Sequence, residues 1–352
     1  MANIMINQVC NLRCKYCFAD ETVNKPGSNC NDMTFEAFQK AIQISGSGRI
    51  GIIGGEPTIH PEFEKFMEYA VDHSNGRNIV LFTNGILLDK YWKWLVRPNV
   101  SCLWNFNGPS ISGAQYEKIR QNADLMFKEF GLQQKITLGL NLYEPDMDYK
   151  FFIDTCKDCK VKSVRLAITV PNSQRDFQQD YLVRLRKMKD LLIKVCEELV
   201  DVGSIPHLDC TVLPQCIFNE SDYERITAFH KKAGVTPNET QFFKTEKCRP
   251  VCDIMPDLSI TRCFGCSDVK YLRYHSGYDM VEGTYRSIED AVNVFDADFG
   301  SLAYMVPGHK DCIDCAFRKR GVCQGGCLGY KKDKILETMK MMEAQFGGMF
   351  NV

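Results

Sequence analysis

Apolar residues fall in short unbroken runs over the first two hundred positions. Longer stretches separate these runs, and in them apolar residues recur every three or four positions. The runs at residues 3–9, 49–53, 78–82, 100–106, 136–141 and 164–170 fit buried strands. The intervening stretches predict helices. One opens after Thr34, a capping residue, and a second covers 61–73 with Phe63, Phe66, Met67 and Ala70 on one face. Others are expected at 88–96, 113–130, 148–159 and 176–200. Six strand–helix units in strict alternation predict an α/β fold with a parallel sheet and right-handed crossovers, either rolled into a barrel or left open.

The pattern changes after residue 203. Residues 205–212 read as one more strand and 222–232 as a helix. From Lys244 to Tyr330 cysteine, glycine and turn signals replace periodicity, and residues 331–345 return to an amphipathic helix. The expected division is 1–203 for the strand–helix units, 204–243 as a bridge, 244–330 as a small cysteine-rich domain and 331–352 as a terminal helix and tail. A segment of that composition is held by metal more readily than by a core.

Composition narrows the class. The 352 residues are 45% hydrophobic and 25% charged, enough for a packed core. A net charge of −1 without a basic run argues against nucleic acid as a partner. No apolar run is long enough to span a membrane, and residues 1–6 leave no room for a signal peptide before Cys10, so a cytoplasmic location is expected. In a reducing compartment the 18 cysteines read as thiols available to soft metals rather than as disulfides. Eight of them, Cys248, Cys252, Cys263, Cys266, Cys312, Cys315, Cys323 and Cys327, crowd into the region after residue 244. Cys30, Cys102, Cys156, Cys159 and Cys196 read as packing residues.

Three more thiols, Cys10, Cys14 and Cys17, fall within eight residues as C-x3-C-x2-C. A tetrahedral zinc site would want a fourth ligand nearby, and none follows until Cys30. Three thiolates suit a cubane iron–sulfur cluster with one iron left open. The spacing, with Tyr16 in the aromatic slot before the third cysteine, resembles the radical S-adenosylmethionine (radical SAM) superfamily. That resemblance implies a partial (β/α)6 TIM-type barrel, a [4Fe–4S] cluster on Cys10, Cys14 and Cys17, and S-adenosylmethionine (SAM) as cofactor.

Further strand ends carry the resemblance along the chain. Gly54-Gly55-Glu56-Pro57 matches the family's second motif, whose backbone and acidic residue hold the SAM amino group. Thr83-Asn84-Gly85 resembles a strand end common in relatives with cysteine-rich domains; the plainer reading is an Asn-Gly turn. Asn105-Phe106-Asn107-Gly108-Pro109 stands where the family often has Ser-x-Asp-Gly-Pro, which implies ribose contacts by Asn105 or Asn107. Asn141 and Arg165 fall on strands where relatives place further SAM contacts. For Arg165 the alternative is an ion pair with a local acid.

The later cysteines resemble the SPASM domain, which carries auxiliary [4Fe–4S] clusters. By that resemblance Cys248, Cys263 and Cys327 serve one cluster and Cys312, Cys315 and Cys323 a second. The departures are Leu258 in place of a glycine, an x7 gap where x5 is usual, and no cysteine after Cys327. Cys252, Cys266, Cys216 and Cys210 are the candidates for the remaining positions, giving one or two auxiliary clusters. Two structural zinc sites fit the same spacing.

The implied activity is reductive cleavage of SAM to methionine and a 5′-deoxyadenosyl radical, which abstracts hydrogen from a substrate. Relatives with SPASM domains point to a peptide or protein side chain as that substrate. An oxidoreductase acting on a small molecule in cofactor or natural-product biosynthesis is the alternative, and a zinc-stapled binding protein the third reading. The chemistry implies a one-electron donor such as flavodoxin or ferredoxin. Because the cluster loop begins at residue 10, leader recognition would fall to a separate protein or to the C-terminal region. No residue stands out as a catalytic acid or base; Asp253 and Tyr304 are two among several.

Overall fold

Among the described residues, ten strands form one sheet, in the order β10-β9-β8-β1-β2-β3-β4-β5-β6-β7. The computed structural model of the chain describes residues 1–20, 22–24, 32–170, 180–209, 213–242, 251–263, 273–274, 288–289, 291–293 and 304–346. The strands are β1 Ala2–Met5, β2 Ile50–Ile53, β3 Ile79–Thr83, β4 Val100–Asn105, β5 Ile136–Leu142, β6 Ser163–Ile168 and β7 Ile205–Leu208. Each pairs in parallel with the next, as strand–helix alternation requires. The result is a partial TIM-type barrel.

The helices between the strands are α1 Phe35–Ile44, α2 Phe63–His73, α3 Leu88–Tyr91, α4 Pro109–Ser112, α5 Tyr116–Asp124, α6 Lys150–Asp158 and α7 Tyr181–Asp201; α8 Glu220–Ala233 follows β7. Thr34 caps α1, its hydroxyl accepting from the Ala37 amide at 3.2 Å. Phe63, Phe66, Met67 and Ala70 are the buried face of α2, and Phe66 stacks on Phe38 of α1 with ring centroids 4.5 Å apart. The long helix expected at 113–130 is broken instead. Pro109 starts a one-turn helix, Gly113 leaves helical geometry at φ 52°, and residues 125–129 widen beyond the α spacing. The helix expected at 88–96 likewise tightens after Tyr91.

Residues expected in the cysteine-rich domain contribute to the same sheet. β8 Cys252–Ile254 pairs in parallel with β1, and β9 Ile260–Thr261 and β10 Arg273–Tyr274 follow antiparallel. Three-residue and two-residue strands show no period that a sequence could betray. The β1–β8 pair is joined by a side-chain bond as well, from Asn3 Nδ2 to Asp253 Oδ1 at 2.7 Å. Burial pushes the Asp253 carboxyl up to about 7. The helix expected at the tail runs Leu328–Phe346. No helix among the described residues is long and apolar enough to cross a membrane.

The apolar core lies between sheet and helices. Ile4, Ile50, Ile52, Ile79, Leu81 and Trp104 point outward into it from the strands. The opposite face of the strands carries Asn3, Asn105, Asn141 and Arg165 together with Phe82 and Leu103, so the barrel interior mixes polar and apolar side chains. His60 ties the entry of α2 to the strand ends. Its Nε2 lies 3.2 Å from the Met33 carbonyl, and its Nδ1 accepts from the Glu62 amide at 3.0 Å.

Burial holds the His60 imidazole below its ordinary value. An unfolded chain takes up that proton near pH ~6.5, so it binds more protons than the native state in mild acid. The His60 contribution to stability is therefore full above about pH 6.5 and is lost as pH falls through the lower, native value. Thermal midpoints should drop on acidification, and His60→Gln should make that drop shallower; equal slopes for the two proteins would count against it.

Candidate functional site

The stretch after β1 has no regular structure, so its shape comes from what it touches. Pairing with β2 continues past the strand, with the Ile6 amide donating to the Ile53 carbonyl at 2.8 Å. The Gly55 amide then donates to the Asn7 carbonyl at 3.0 Å and the Glu56 amide to the Val9 carbonyl at 2.8 Å. A Cβ on Gly54 would overlap the Asn7 amide, and one on Gly55 would overlap the Val9 carbonyl. Gly55 is therefore required by close approach of backbone to backbone, while Gly54 makes room for the Asn7 side chain, whose Nδ2 donates to the Glu56 carbonyl at 2.8 Å. The cysteine loop lies directly against this turn.

Two further residues close the loop. The Asn24 side chain accepts from the Cys10 amide at 2.9 Å and donates to the Cys10 carbonyl at 3.0 Å, with its own backbone left-handed at φ 58°. Asn84 reaches the loop from β3, its Nδ2 donating to Asn11 Oδ1 at 2.7 Å. Sequence reasoning missed Asn24; an isolated asparagine after the motif carries no signal beyond its tolerance of that conformation.

Glu56, expected to help hold the ligand amino group, is bonded on both oxygens by the protein. It is 1% exposed, and its carboxylate accepts four bonds from the protein. Oε1 takes the Thr58 amide at 3.2 Å, the Thr58 hydroxyl at 2.6 Å and the Thr83 hydroxyl at 2.7 Å; Oε2 takes the Asn84 amide at 2.7 Å. Burial pushes its carboxyl up, and these bonds oppose that. Glu56 thus ties the ends of β2 and β3 together under the loop. Pro57 begins the short turn Pro57–Ile59 that Glu56 caps.

Cys10, Cys14 and Cys17 are half-buried. Burial pushes Cys10 up to about 11 and Cys14 up to about 12, and raises Cys17; negative neighbours, among them Cys17 beside both Cys10 and Cys14, add to the rise. Three thiolates in this loop therefore need a compensating cation. Among the described residues no three His, Cys, Asp or Glu side chains close on a single ion, the arrangement that a mononuclear zinc site needs. A cubane takes one thiolate per iron and spreads its ligands wider.

Across from the loop is a linked polar wall. Tyr16 Oη bonds the Asn107 side chain and receives Asn141 Nδ2 at 3.5 Å, and Asn141 Nδ2 also lies 3.5 Å from Asn105 Oδ1. The Tyr16 ring stacks on Tyr143 at 5.0 Å. Arg165 donates to Asn141 Oδ1 at 2.8 Å and to Asp209 Oδ2 at 3.0 Å, so the local acid is real. Tyr16, Asn105, Asn107, Asn141 and Arg165 are one connected network, while Gly54, Gly55, Glu56 and Asn84 form the bracing side.

The later cysteines divide. Cys312, Cys315 and Cys323 line one cavity together with Cys216. Cys327 is buried in the apolar core near Leu328, and Cys252 is buried there on β8, with Arg262 donating toward its sulfur at 3.9 Å. Cys263 follows β9 and is half-buried. Cys30, Cys210, Cys248 and Cys266 lie outside the described residues. Leu258, at the signature's glycine position, holds a left-handed φ of 64°. The backbone there keeps a glycine-like turn at a cost of about 1–2 kcal/mol. Cys102, Cys156, Cys159 and Cys196 pack in the core, as expected.

Gly55→Ala should displace the cysteine loop and lower iron content in anaerobically purified protein, with the far-ultraviolet spectrum largely kept. Glu56→Gln places an amide among donors and should cost about 1–3 kcal/mol of stability. A chemical denaturation midpoint unchanged in Glu56→Gln would remove Glu56 from the bracing role.

Residues 4–101 match the family described as the Radical SAM superfamily. Among curated proteins, the GTP 3′,8-cyclase of Alkaliphilus metalliredigens (strain QYMF) is 27% identical over 140 residues, 39% of this chain and 43% of that protein. The GTP 3′,8-cyclase of Thermodesulfovibrio yellowstonii is 34% identical over 106 residues, 28% of this chain and 33% of that protein. The chain thus spans less than half the length of these curated relatives. Its fold is similar to Streptococcus suis SuiB bound to S-adenosylmethionine, with TM-score 0.58 and 14% identity over 94% of this chain and 73% of that one. It is also similar to native anSMEcpe with bound AdoMet and Cp18Cys peptide, with TM-score 0.59 and 17% identity over 97% and 99%. The stretch that matches the Radical SAM superfamily, residues 4–101, holds the Cys10–Cys14–Cys17 loop and the glycine turn that seats it.

Proposed function

We propose that this protein cleaves SAM reductively and directs the resulting radical at a peptide or protein side chain. The observation that carries the reading is the three-thiol loop seated on the Gly54-Gly55-Glu56 turn, with a connected polar wall facing it. The donor set fits a [4Fe–4S] cluster: three soft, mutually repelling thiols that do not close on one ion. When bound, the cluster and SAM supply one-electron cleavage of the sulfonium C5′–S bond, giving methionine and a 5′-deoxyadenosyl radical that takes a hydrogen atom from substrate.

The chain's own residues bind and orient. Cys10, Cys14 and Cys17 would hold such a cluster, and SAM would bind at its iron without a protein ligand. The Gly54-Gly55-Glu56-Pro57 backbone lies at the edge of the loop, where a ligand ammonium would meet carbonyl acceptors. Glu56 acts behind it as a positioning residue. Tyr16, Asn105, Asn107, Asn141 and Arg165 offer donors and acceptors for ribose hydroxyls and a carboxylate. Arg165 would serve a carboxylate by exchanging its Asp209 partner. Cys248, Cys252, Cys263, Cys266, Cys312, Cys315, Cys323 and Cys327 are the candidates for SPASM-like auxiliary clusters. A flavodoxin or ferredoxin supplies the electron.

The peptide substrate is supported by fold similarity over nearly the whole chain to SuiB and anSMEcpe, both described with a peptide bound. A second reading, a small molecule in cofactor biosynthesis, is favoured by the sequence similarity to GTP 3′,8-cyclases, which covers 39% of this chain. Coexpression with a short peptide encoded beside the gene separates the two by mass spectrometry. A mass change dependent on Cys10, Cys14 and Cys17 supports the peptide reading. An unmodified peptide, with SAM turnover on GTP or another small metabolite, overturns it. Reduced wild-type protein should release 5′-deoxyadenosine from SAM, and the triple alanine variant at Cys10, Cys14 and Cys17 should release none; equal yields would end the radical reading.

A further inference from the structure

The turn Gln215–Ile217 joins β7 to α8. Leu213, Ile217 and Phe218 are buried around it, and the Tyr223 hydroxyl donates to the Gln215 carbonyl at 3.3 Å. The Ile217 and Phe218 amides close the turn onto the Pro214 and Gln215 carbonyls at 3.2 and 3.1 Å. Cys216 stands exposed in this otherwise buried, anchored turn. It does not face open solvent alone, because it lines the cavity that Cys312, Cys315 and Cys323 also line.

The other three thiols are brought together by local structure. Cys312 ends a tight turn closed by its amide on the His309 carbonyl at 3.0 Å. The Cys323 sulfur accepts the Gly325 amide at 3.3 Å. Gly325 holds φ +74°, and a Cβ there would lie 3.6 Å from the Cys312 Cβ. Gly325 thus bonds Cys323 and leaves its Cβ side open toward Cys312. Arg318 lines the same cavity, with a buried Nε that has no hydrogen-bond partner. Fully buried Lys331 approaches from the terminal helix, its Nζ donating to the Gln324 carbonyl at 2.8 Å.

We propose that Cys216 is the fourth protein ligand of an auxiliary [4Fe–4S] cluster whose other ligands are Cys312, Cys315 and Cys323. The inference rests on the proposed function for the kind of cluster, and on the geometry for which residues meet. The fourth thiol then comes from about a hundred residues upstream of the other three. The four thiols line one cavity, and a [4Fe–4S] cluster takes one thiolate per iron. Four thiolates around such a cluster leave net negative charge, and Arg318 and Lys331 oppose it. Burial lowers Lys331 to about 8, while Cys327, Cys323 and Cys312 pull it back up. With every iron capped by protein, this cluster presents no open site to substrate.

The test uses the full chain in which Cys10, Cys14 and Cys17 are alanine, so that only auxiliary clusters remain. Iron, zinc and electron paramagnetic resonance are compared with and without Cys216→Ala. The expected result is loss of up to about four irons per chain, or replacement of one reduced-cluster signal by an oxidised [3Fe–4S] signal. Iodoacetamide provides a readout without substitution at Cys216. The thiol should be protected in the iron-loaded protein and alkylated once ferricyanide and a chelator strip the iron. Unchanged iron and spectra in Cys216→Ala, ready alkylation of Cys216 in the iron-loaded protein, or stoichiometric zinc in place of iron would each overturn the proposal. Equal iron in wild type and the triple variant would instead count against the N-terminal cluster, and the Cys216 comparison would still be readable.

Discussion

The backbone at residue 55 lies so close to that of residues 9 and 10 that Gly55 has no room for a side chain, and the Asn7 side chain fills the space beside Gly54. Two amide–carbonyl bonds run across this contact, and a buried carboxylate locks it from below. The cysteine loop has no helix or strand of its own, so this contact sets where its three thiols point. Preorganisation of that kind matters most when a site must hold both a metal cluster and a ligand on one of its irons.

The barrel supplies what the contact needs. Parallel strands place β2, β3, β4, β5 and β6 side by side, so that their C-terminal ends form one rim. The loop after β1 crosses that rim. Glu56, Asn84, Asn105, Asn107 and Asn141 reach it from four different strand ends, with Arg165 behind them on β6. Distant parts of the chain thus meet the loop through short polar side chains, whose rotamers are fixed by bonds to one another.

Much of this was legible in the sequence because it obeys a period or a spacing. The strand runs, the α2 face and the Thr34 cap follow from apolar patterning and capping chemistry. The three-thiol loop and the glycine turn follow from motif spacing. What was not legible is whatever depends on contacts far apart in the chain. Glu56 reads in sequence as a ligand-facing acid, and its bonds to Thr58, Thr83 and Asn84 are set by the fold. β8 has three residues and becomes a strand only because β1 offers an edge. Cys216 lies in a bridge with no metal spacing of its own, and only the fold carries it to Cys312, Cys315 and Cys323. Leu258 departs from the expected glycine while its backbone keeps a glycine-like turn.

The central claim is that the Cys10–Cys14–Cys17 loop carries a cluster with one iron left for SAM. Mössbauer spectroscopy of iron-57-labelled protein, with and without SAM, tests it most directly. The account predicts that SAM shifts the spectrum of one iron in the N-terminal cluster and leaves fully thiolate-capped irons unchanged. A spectrum indifferent to saturating SAM, or the absence of any iron that depends on Cys10, Cys14 and Cys17, would contradict it.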